Sequence, residues 1–432
     1  MTETKIISKF IIFLTKQSTM KTIIITYIIF IVLSLDNRPL FSQPSKSKNI
    51  GDKFFEIKYE ELLKQKNNIN LSQIASKVEY IQLETNENCL LNHNARYYFS
   101  DNFIFVSNWD HILKFSSDGK FLKKIGNPGR GPGEINSIRV LSIIPEKKLI
   151  IIHDPVPRKL RYYSFDGNLI KTVNIPQDLV YLKVMKDGNY IAIAQSVSVS
   201  EKYTHTLINE SGDTLSAVKN YTPWKNPSPI VTTILSPSFI PFYTYQNKYF
   251  LKSLYNDTVY VVKANKITPG YYINLGKYKL PPEKRFERLN PEEAKIFQKE
   301  EAPKYCFAYV LEAGGRFFLT SNNFGNHKIE HFVINKNGFI EKSNDRYLSV
   351  FRNYIFNDWD GGVYFWPDGN IDDNKVFMPI DIKYLKDVLK VRSSAKTPFK
   401  FPEQQKQLEK LASNLDITEN PILMIVTLKT DK

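Results

Sequence analysis

The 432-residue chain contains only two cysteines, Cys89 and Cys306, which excludes a disulfide framework and leaves a single bridge between them open. Its 29 Phe and 25 Tyr favour strands over helices. The formal net charge of +15 comes from scattered lysines without a long basic run, so we expect a basic surface and no nucleic-acid partner.

The N-terminus carries a predicted targeting signal. An apolar stretch at 22–35 follows a lysine and precedes the small residue Ser42, which is the pattern of an export signal. We predict a signal segment at 1–42 that is cut before Gln43, and a start at Met20 would give it the usual length. The stretch is shorter than the ~20 residues of a membrane span, so we expect no stable span after cleavage. An uncleaved anchor is the alternative. The mature protein is expected in the periplasm or elsewhere in the cell envelope, or outside the cell.

A repeated unit dominates the rest of the chain. Short apolar strands flank turns at Gly119, Gly167 and Gly212, which lie 48 and 45 residues apart. A period of this length that is built from strands alone is typical of propeller blades. The sequence therefore predicts an all-β fold, a six-bladed β-propeller with an inserted helix and two C-terminal helices.

The predicted elements follow in chain order. Residues 43–75 form a polar lead-in, and the propeller occupies 76–432, beginning with a strand at 78–83. Seven blades are the alternative if the lead-in hides strands. The first five blades are predicted at 97–125, 139–173, 180–218, 242–275 and 307–340, with a long loop at 221–241.

The second half of the propeller is interrupted by predicted helices. An insertion at 281–303 contains Asn290 and Pro291, a helix start signal that is followed by acidic residues. Blade six begins in 354–366. Two helices at 381–389 and 403–415 precede a last strand at 422–428, which is expected to pair with the strand at 78–83 and close the ring.

The loop at 126–134 is rich in glycine and proline, which predicts a tight turn between blades. It lacks the Lys-Ser/Thr ending of a phosphate-binding loop, and a strand follows it instead of a helix. We therefore expect no nucleotide and no other cofactor.

The residues around this loop resemble a known repeat. Gly131 to Glu134, the strand at 149–152, Asp154, the run 158–160 and the turn at 165–167 resemble the NHL repeat in that order. The chain as a whole is similar to the secreted six-bladed β-propeller proteins of Bacteroidetes. This resemblance implies a propeller fold and an export route, and it implies no particular reaction.

Metal-binding motifs are weak. His327 and His331 are four residues apart, but on a strand they would lack further ligands nearby in sequence. The segment 368–379 begins like a calcium loop, yet Asp373 stands where glycine is needed and Pro379 where the bidentate glutamate belongs. We expect no dedicated metal site, and only a casual surface cation site stays open.

Aromatic, acidic and arginine side chains in predicted turns are the candidates for ligand binding, because exposed rings beside polar groups suit recognition of sugars or peptides. These candidates are Trp109, Asp110, Arg130, Asp154, Arg158, Trp359 and Asp360. Packing between blades is the alternative for the tryptophans.

Three classes of function follow from the predicted fold. The leading hypothesis is a non-catalytic binding module of the cell envelope, with a glycan, a peptide or an envelope protein as partner. The second is a carbohydrate-active hydrolase or lyase, which would need two carboxylates about 5–10 Å apart in an open pocket. Its candidate groups are Asp110, His153, Asp154, Asp358 and Asp360. The third is a structural assembly subunit, which would expose a large apolar patch.

Overall fold

The computed structural model describes residues 55–65, 68–100, 102–131, 133–175, 181–193, 202–221, 242–285, 291–335, 340–343, 355–394 and 399–430. These residues belong to one compact unit, Phe54–Lys432. The predicted signal segment at 1–42 and nearly all of the predicted loop at 221–241 lie outside the described residues.

Six sheets in the described part of the chain form the six blades of a β-propeller, which confirms the predicted fold. Blade I contains β3 (Arg96–Ser100), β4 (Phe103–Ser107), β5 (Ile112–Ser116) and β6 (Phe121–Ile125). Blade II contains β7 (Val140–Ile144), β8 (Leu149–Asp154), β9 (Lys159–Ser164) and β10 (Leu169–Asn174). Blade III contains β11 (Tyr181–Val184), β12 (Tyr190–Ile193), β13 (Tyr203–Ile208) and β14 (Thr214–Lys219).

The remaining blades recruit strands from the start of the described chain. Blade IV contains β15 (Phe242–Tyr245), β16 (Lys248–Leu251), β17 (Thr258–Lys263) and β18 (Lys266–Asn274), and β1 (Phe55–Lys58) adds to it as a fifth strand, parallel to β18. Blade V contains β19 (Cys306–Ala313), β20 (Arg316–Asn323), β21 (Ile329–Asn335) and β22 (Ile340–Ser343). Blade VI contains β23 (Gly369–Asn370), β24 (Lys375–Ile380), β25 (Ile422–Leu428) and β2 (Ala75–Gln82).

The first strand of each blade lies innermost. Contacts join β3 to β7, β7 to β11, β15 to β19 and β19 to β23, so these strands surround the ring axis. Each pair of neighbouring blades buries one apolar cluster between its sheets. Phe105 and Ile150 meet between blades I and II, for example, and Val106 and Ile425 meet between blades I and VI. Burial between blades, rather than in one central core, is how a propeller accommodates a long chain.

The ring closes where the sequence predicts. Strand β2 pairs antiparallel with β25, and the pair Val78–Val426 is buried. The strand from near the start of the described chain thus becomes the outer strand of the last blade, and the closure removes free edges at the junction.

Turn glycines explain the regular blade period. Gly119, Gly167 and Gly212 each join the third and fourth strands of a blade, and their φ angles are 91°, 83° and 95°. Side chains other than glycine rarely adopt this left-handed backbone, so the same residue recurs at the same place in each blade.

Six α-helices complete the described fold: α1 (Tyr59–Leu62), α2 (Leu71–Ile74), α3 (Pro282–Arg285), α4 (Pro291–Ile296), α5 (Ile382–Ser394) and α6 (Pro402–Asn414). The first two fall in the region predicted as a polar lead-in. The next two form the predicted insertion, and the last two are the predicted late helices. Leu385 of α5 and Leu408 of α6 pack into the cluster between blades V and VI. No helix in the described ranges is long and apolar enough to cross a membrane.

One predicted boundary is wrong. The start of blade six is predicted at 354–366. Its described residues, 355–366, form turns and an isolated bridge between Ile355 and Phe365, and the inner strand is the two-residue β23. Trp366, Phe365 and Val363 instead pack into the cluster between blades V and VI. Residues 363–366 are therefore largely apolar because they pack against the late helices, and not because they form a strand of the sheet.

Candidate functional site

One face of the ring gathers every residue that the sequence singles out for ligand binding. Strands alternate in direction within each blade, so the second and fourth strands end at the same face. We call it the connection face, because the connections between blades cross it. The turns and connections at this end of the blades contain Trp109, Asp110, Arg130, Asp154, Arg158, Trp359 and Asp360, some of them exposed and others buried.

Trp109 occupies the turn between β4 and β5 with an unusual backbone. Its φ angle is 75°, and 63% of its surface is exposed. A bulky residue in the left-handed region costs about 1–3 kcal/mol and persists only where the surroundings enforce it. The Trp109 carbonyl accepts a hydrogen bond from the amide of Ile138, and the amide of Asn108 donates to the carbonyl of His111 at 2.9 Å. The turn is therefore held in a strained form that presents an indole to solvent.

Two buried asparagines fix the neighbouring connection, residues 83–95. The side chain of Asn108 accepts a hydrogen bond from the amide of Asn92 at 2.8 Å and donates to the carbonyl of Leu90 at 3.0 Å. Asn420 holds the other side, accepting from the amide of Leu91 and donating to the carbonyl of Cys89, both at 2.9 Å. Leu90 itself stays 53% exposed beside the Trp109 turn.

Asp110 forms a hydrogen bond with the adjacent residue, His111. Its carboxylate lies 2.6 Å from Nδ1 of His111. Burial lowers the pKa of His111, although the bond to Asp110 acts in the opposite direction. The pair supports the turn, and Nε2 of His111 lies 3.2 Å from the side-chain amide nitrogen of Asn108.

Asp154 lies inside the fold. It is fully buried, accepts hydrogen bonds from the amides of Asn136 and Ser137 at 3.0 and 3.3 Å, and pairs with Nε of Arg161 at 3.5 Å. These contacts anchor the connection 135–139 to blade II. Neighbouring His153 is also buried, and burial lowers its pKa to about 4.

The exposed residues of this region belong to the next turn and to the glycine-rich loop. In the turn between β8 and β9, Val156 is 71% exposed, and Arg158 is exposed with a φ angle of 54°. The described residues of the loop at 126–134 form a tight turn, as predicted, in which the amide of Gly131 donates a hydrogen bond to the Glu134 carboxylate at 2.7 Å. Arg130 projects from its tip.

Trp359 and Asp360 are buried, with 6% and 1% of their surface exposed. The Trp359 ring lies 4.2 Å from that of Phe401, and its indole N–H donates to Gln404 of α6. Asp360 accepts hydrogen bonds from the Tyr80 hydroxyl at 3.0 Å and from Gly362 and Asn357, and burial raises its pKa. Trp359 therefore contacts the start of α6, and Asp360 joins the segment 355–366 to β2.

The groups named for the enzyme alternative have internal partners or are buried. Asp358 accepts hydrogen bonds from the amide and hydroxyl of Ser72 at 2.8 and 2.6 Å, and Asp154 and Asp360 are bonded as described above. Within the ranges that the structure describes, no group of three His, Cys, Asp or Glu residues could hold a metal ion.

The remaining histidine and cysteine candidates lie apart. His327 stands in the turn before β21 with a φ angle of 53°, not in the strand as predicted, while His331 is buried in β21 and its Nδ1 lies 3.1 Å from the Thr320 hydroxyl. Cys89 and Cys306 are both buried and unpaired.

Comparison of the sequence with known proteins identifies its family. The family described as "Domain of unknown function (DUF4934)" matches residues 54–427. A "putative exported protein" of Bacteroides fragilis is 17% identical, with a TM-score of 0.65 over 87% of this chain and 99% of that chain. A DUF4221-family protein of Bacteroides vulgatus is 12% identical, with a TM-score of 0.40 over 64% of this chain and 86% of that one. Virginiamycin B lyase of Staphylococcus aureus is 13% identical, with a TM-score of 0.33 over 62% and 73%.

At these identities the first similarity shows the fold alone, and the two lower scores carry no argument about activity. No curated protein matches the sequence. The family match, in contrast, spans most of the chain and all six blades. The protein therefore belongs to the DUF4934 family, a domain of unknown function.

Proposed function

We propose that this protein is an exported, non-catalytic recognition module that binds a protein partner through its connection face. The surface that we assign to binding consists of Leu90, Trp109, Val156 and Arg158, and we call it the Trp109 surface. The observation that carries the proposal is Trp109, an exposed indole held on a strained backbone. Strain retained at an exposed position points to function, since folding alone does not favour it.

Hydrogen bonds link the loops that carry the four residues of the Trp109 surface. Asn108 joins the Leu90 loop to the Trp109 turn, and Ile138 joins that turn to the connection 135–139. Asp154 then joins this connection to the strand that leads into the turn of Val156. These bonds fix the loops before a partner arrives, so less conformational entropy is lost on binding.

The composition of this surface favours a protein over a glycan. A tryptophan and an arginine are the side chains that most often dominate protein interfaces. Leu90 and Val156 present aliphatic groups beside the indole and are 53% and 71% exposed. A sugar site needs several polar groups around the ring. Here Asp110 is bonded to His111, and Asp154 is buried.

Export rests on the N-terminal pattern described above, an apolar stretch at 22–35 followed by Ser42. The name of the similar Bacteroides fragilis protein agrees with this proposal. A partner would then be a protein of the cell envelope.

Site-specific photo-crosslinking in cells tests the proposal. A photoreactive amino acid replaces Trp109, Val156 or, as the control, Leu215 of β14, which is 39% exposed on the outer strand of blade III. We expect positions 109 and 156 to capture the same protein and position 215 not to capture it.

Capture at all three positions alike, or at none, would contradict a defined protein-binding surface. A glycan that raises the melting temperature of the wild type but not of Trp109→Ala would contradict the choice of a protein partner. Turnover of a glycan by the wild type would contradict the non-catalytic assignment.

A further inference from the structure

The side chain of Asn108 has one orientation that satisfies its neighbours. Its Oδ1 accepts a hydrogen bond from the amide of Asn92 at 2.8 Å, and its Nδ2 donates to the carbonyl of Leu90 at 3.0 Å. A backbone amide can only donate and a carbonyl can only accept, so exchanging the two ends of the side chain would lose both bonds. Asn108 is buried, which leaves the protein itself to supply these partners.

This orientation determines where His111 carries its proton. Nδ2 of Asn108 lies 3.2 Å from Nε2 of His111, and because Nδ2 can only donate, Nε2 has to accept. On the other side of the ring, Nδ1 lies 2.6 Å from the carboxylate of Asp110, which accepts. His111 therefore fits between its two partners as a neutral ring with the proton on Nδ1.

A second proton on His111 does not fit this arrangement. It would bind at Nε2 and direct an N–H group at the N–H group of Asn108. Rotation of the Asn108 amide would bring Oδ1 to the charged ring, and a charge-assisted hydrogen bond of this kind is stronger than a neutral one. The same rotation turns Oδ1 towards the carbonyl of Leu90 and Nδ2 towards the amide of Asn92. Both bonds between the Trp109 turn and the loop 83–95 are then lost.

The surroundings of the ring determine when this proton is taken up. Burial lowers the pKa of His111, the hydrogen bond to Asp110 raises it, and the positive charge of Lys124 on β6 lowers it. The other titratable residues of the loop 83–95 and of the connection 135–139 are Glu84, Glu87, Cys89, His93 and Arg139. A released ring has an ordinary histidine pKa near ~6.5. The bonded arrangement is therefore fully favoured above about pH 6.5 and is lost as the pH falls.

We propose that protonation of His111 releases the loop 83–95 from the Trp109 turn and so weakens binding at the Trp109 surface in mild acid. The effect on binding rests on the proposed function. His111 is a positioning residue, because it acts through Asn108 on the loop that carries Leu90.

The release is local, because a second asparagine holds the same loop. Asn420 accepts a hydrogen bond from the amide of Leu91 and donates to the carbonyl of Cys89, both at 2.9 Å. Neither bond involves His111. The loop therefore stays attached to the fold after its bonds to Asn108 are lost.

Hydrogen exchange at the Asn92 amide tests the release without any partner. The folded protein is compared at pH 7.5 and pH 5 by mass spectrometry with fragmentation that resolves single amides. Each rate is divided by the rate of the same amide in an unstructured peptide at the same pH, which gives the protection due to structure. We expect this protection to fall about tenfold in the wild type, within the limit of ~30-fold that one histidine with a pKa near ~6.5 allows at pH 5.

His111→Gln separates this histidine from general effects of acid. The Oε1 atom of glutamine reaches the place of Nε2, accepts from Asn108 and binds no proton in this range, so protection should stay nearly constant. His93 is exposed in the same loop, and His93→Gln should behave as the wild type does. Acid also weakens the whole fold through His153 and His205, and both are present in every variant.

Constant protection in the wild type, or an equal loss of protection in His111→Gln, would overturn the proposal. Asp110→Asn provides a second variant in case His111→Gln does not fold. Its amide oxygen can still accept from Nδ1, but it does not stabilise a charged ring as a carboxylate does, so the release should need a lower pH. Release at an unchanged pH would overturn the assignment of the proton to His111.

Binding tests the link to the Trp109 surface. The dissociation constant of the protein captured at position 109 should rise more between pH 7.5 and pH 5 for the wild type than for His111→Gln, by about tenfold. An equal rise in both, with the loop released only in the wild type, would overturn this link. If no protein is captured, the proposed function fails, and hydrogen exchange still decides whether a proton on His111 releases the loop.

Discussion

The side-chain amide of Asn108 donates a hydrogen bond to the carbonyl of Leu90, 3.0 Å away, and so joins blade I to the connection that enters it. The same side chain accepts from the amide of Asn92. One asparagine thereby satisfies two backbone groups of a loop and ties the loop of exposed Leu90 to the turn of exposed Trp109.

Replacement of Asn108 by alanine should destabilise the fold, because it leaves two partly buried backbone groups without their partner. We expect the free energy of unfolding to fall by about 1–3 kcal/mol, measured by urea denaturation. Asn94 is exposed in the same loop, and Asn94→Ala is the control. Equal stability of the two variants would show that the Asn108 contacts do not hold the loop.

The backbone of Trp109 predicts an unusual response to glycine. Trp109→Gly removes a side chain from a left-handed position that costs about 1–2 kcal/mol for residues other than glycine. Greater freedom of the unfolded chain offsets part of this gain. We therefore expect Trp109→Gly to be more stable than Trp109→Ala by about 1 kcal/mol in urea denaturation. A less stable glycine variant would contradict strain at this turn.

Asp154 should contribute to the stability of the fold and should not contact a ligand directly, because it is fully buried. Asp154→Ala leaves Arg161 buried without its carboxylate, and it removes the acceptor of two backbone amides. Breaking a buried pair of this kind costs about 3–5 kcal/mol. Asp166, exposed in the same blade, is the matched control, and Asp166→Ala should change stability by less than about 0.5 kcal/mol. If both variants unfold at the same denaturant concentration, Asp154 is not the anchor that its contacts indicate.

Two buried histidines make stability fall in mild acid. Burial lowers the pKa of His205 to about 3 and that of His153 to about 4, whereas a histidine in the unfolded chain titrates near ~6.5. Below that pH these two histidines bind protons in the unfolded chain but stay neutral in the folded protein. Stability is therefore full above about pH 6.5 and declines as the pH falls toward 4, by about 2 kcal/mol per histidine at pH 5.

Denaturation at pH 7.5 and pH 5 measures this loss. His205→Gln should lose less stability between the two pH values than the wild type, by about 2 kcal/mol. His93 is exposed, and His93→Gln should behave as the wild type does. A pH dependence that is the same in all three proteins would contradict the account of His205.

The blades could be predicted from the sequence because local chemistry determines them. Strand β25 has the predicted bounds, since Ile422–Leu428 is an apolar run buried on both faces. Strand β23 could not be found this way. Gly369 and Asn370 are poor strand formers, and they pair only because β24 and the inner ends of other blades surround them.

The candidate site was predictable in part for the same reason. Trp109 and Trp359 both lie in turns, and the sequence assigns them the same potential for binding. They differ because Phe401 and Gln404, at the start of α6, pack against Trp359, whereas Trp109 has no such cover and stays exposed. That cover comes from a distant part of the chain. The pattern around a turn indicates that an aromatic residue is present, but tertiary packing decides whether its ring is exposed.

The most direct test of the central claim is the affinity of the protein that is captured at position 109. Isothermal titration calorimetry would compare the wild type with Trp109→Ala and with Leu215→Ala as the matched control. If the Trp109 surface is the binding site, Trp109→Ala should weaken the dissociation constant by about 30-fold, the effect of losing a central contact worth ~2 kcal/mol. Leu215→Ala should bind as the wild type does. Equal affinities of Trp109→Ala and the wild type would contradict the account.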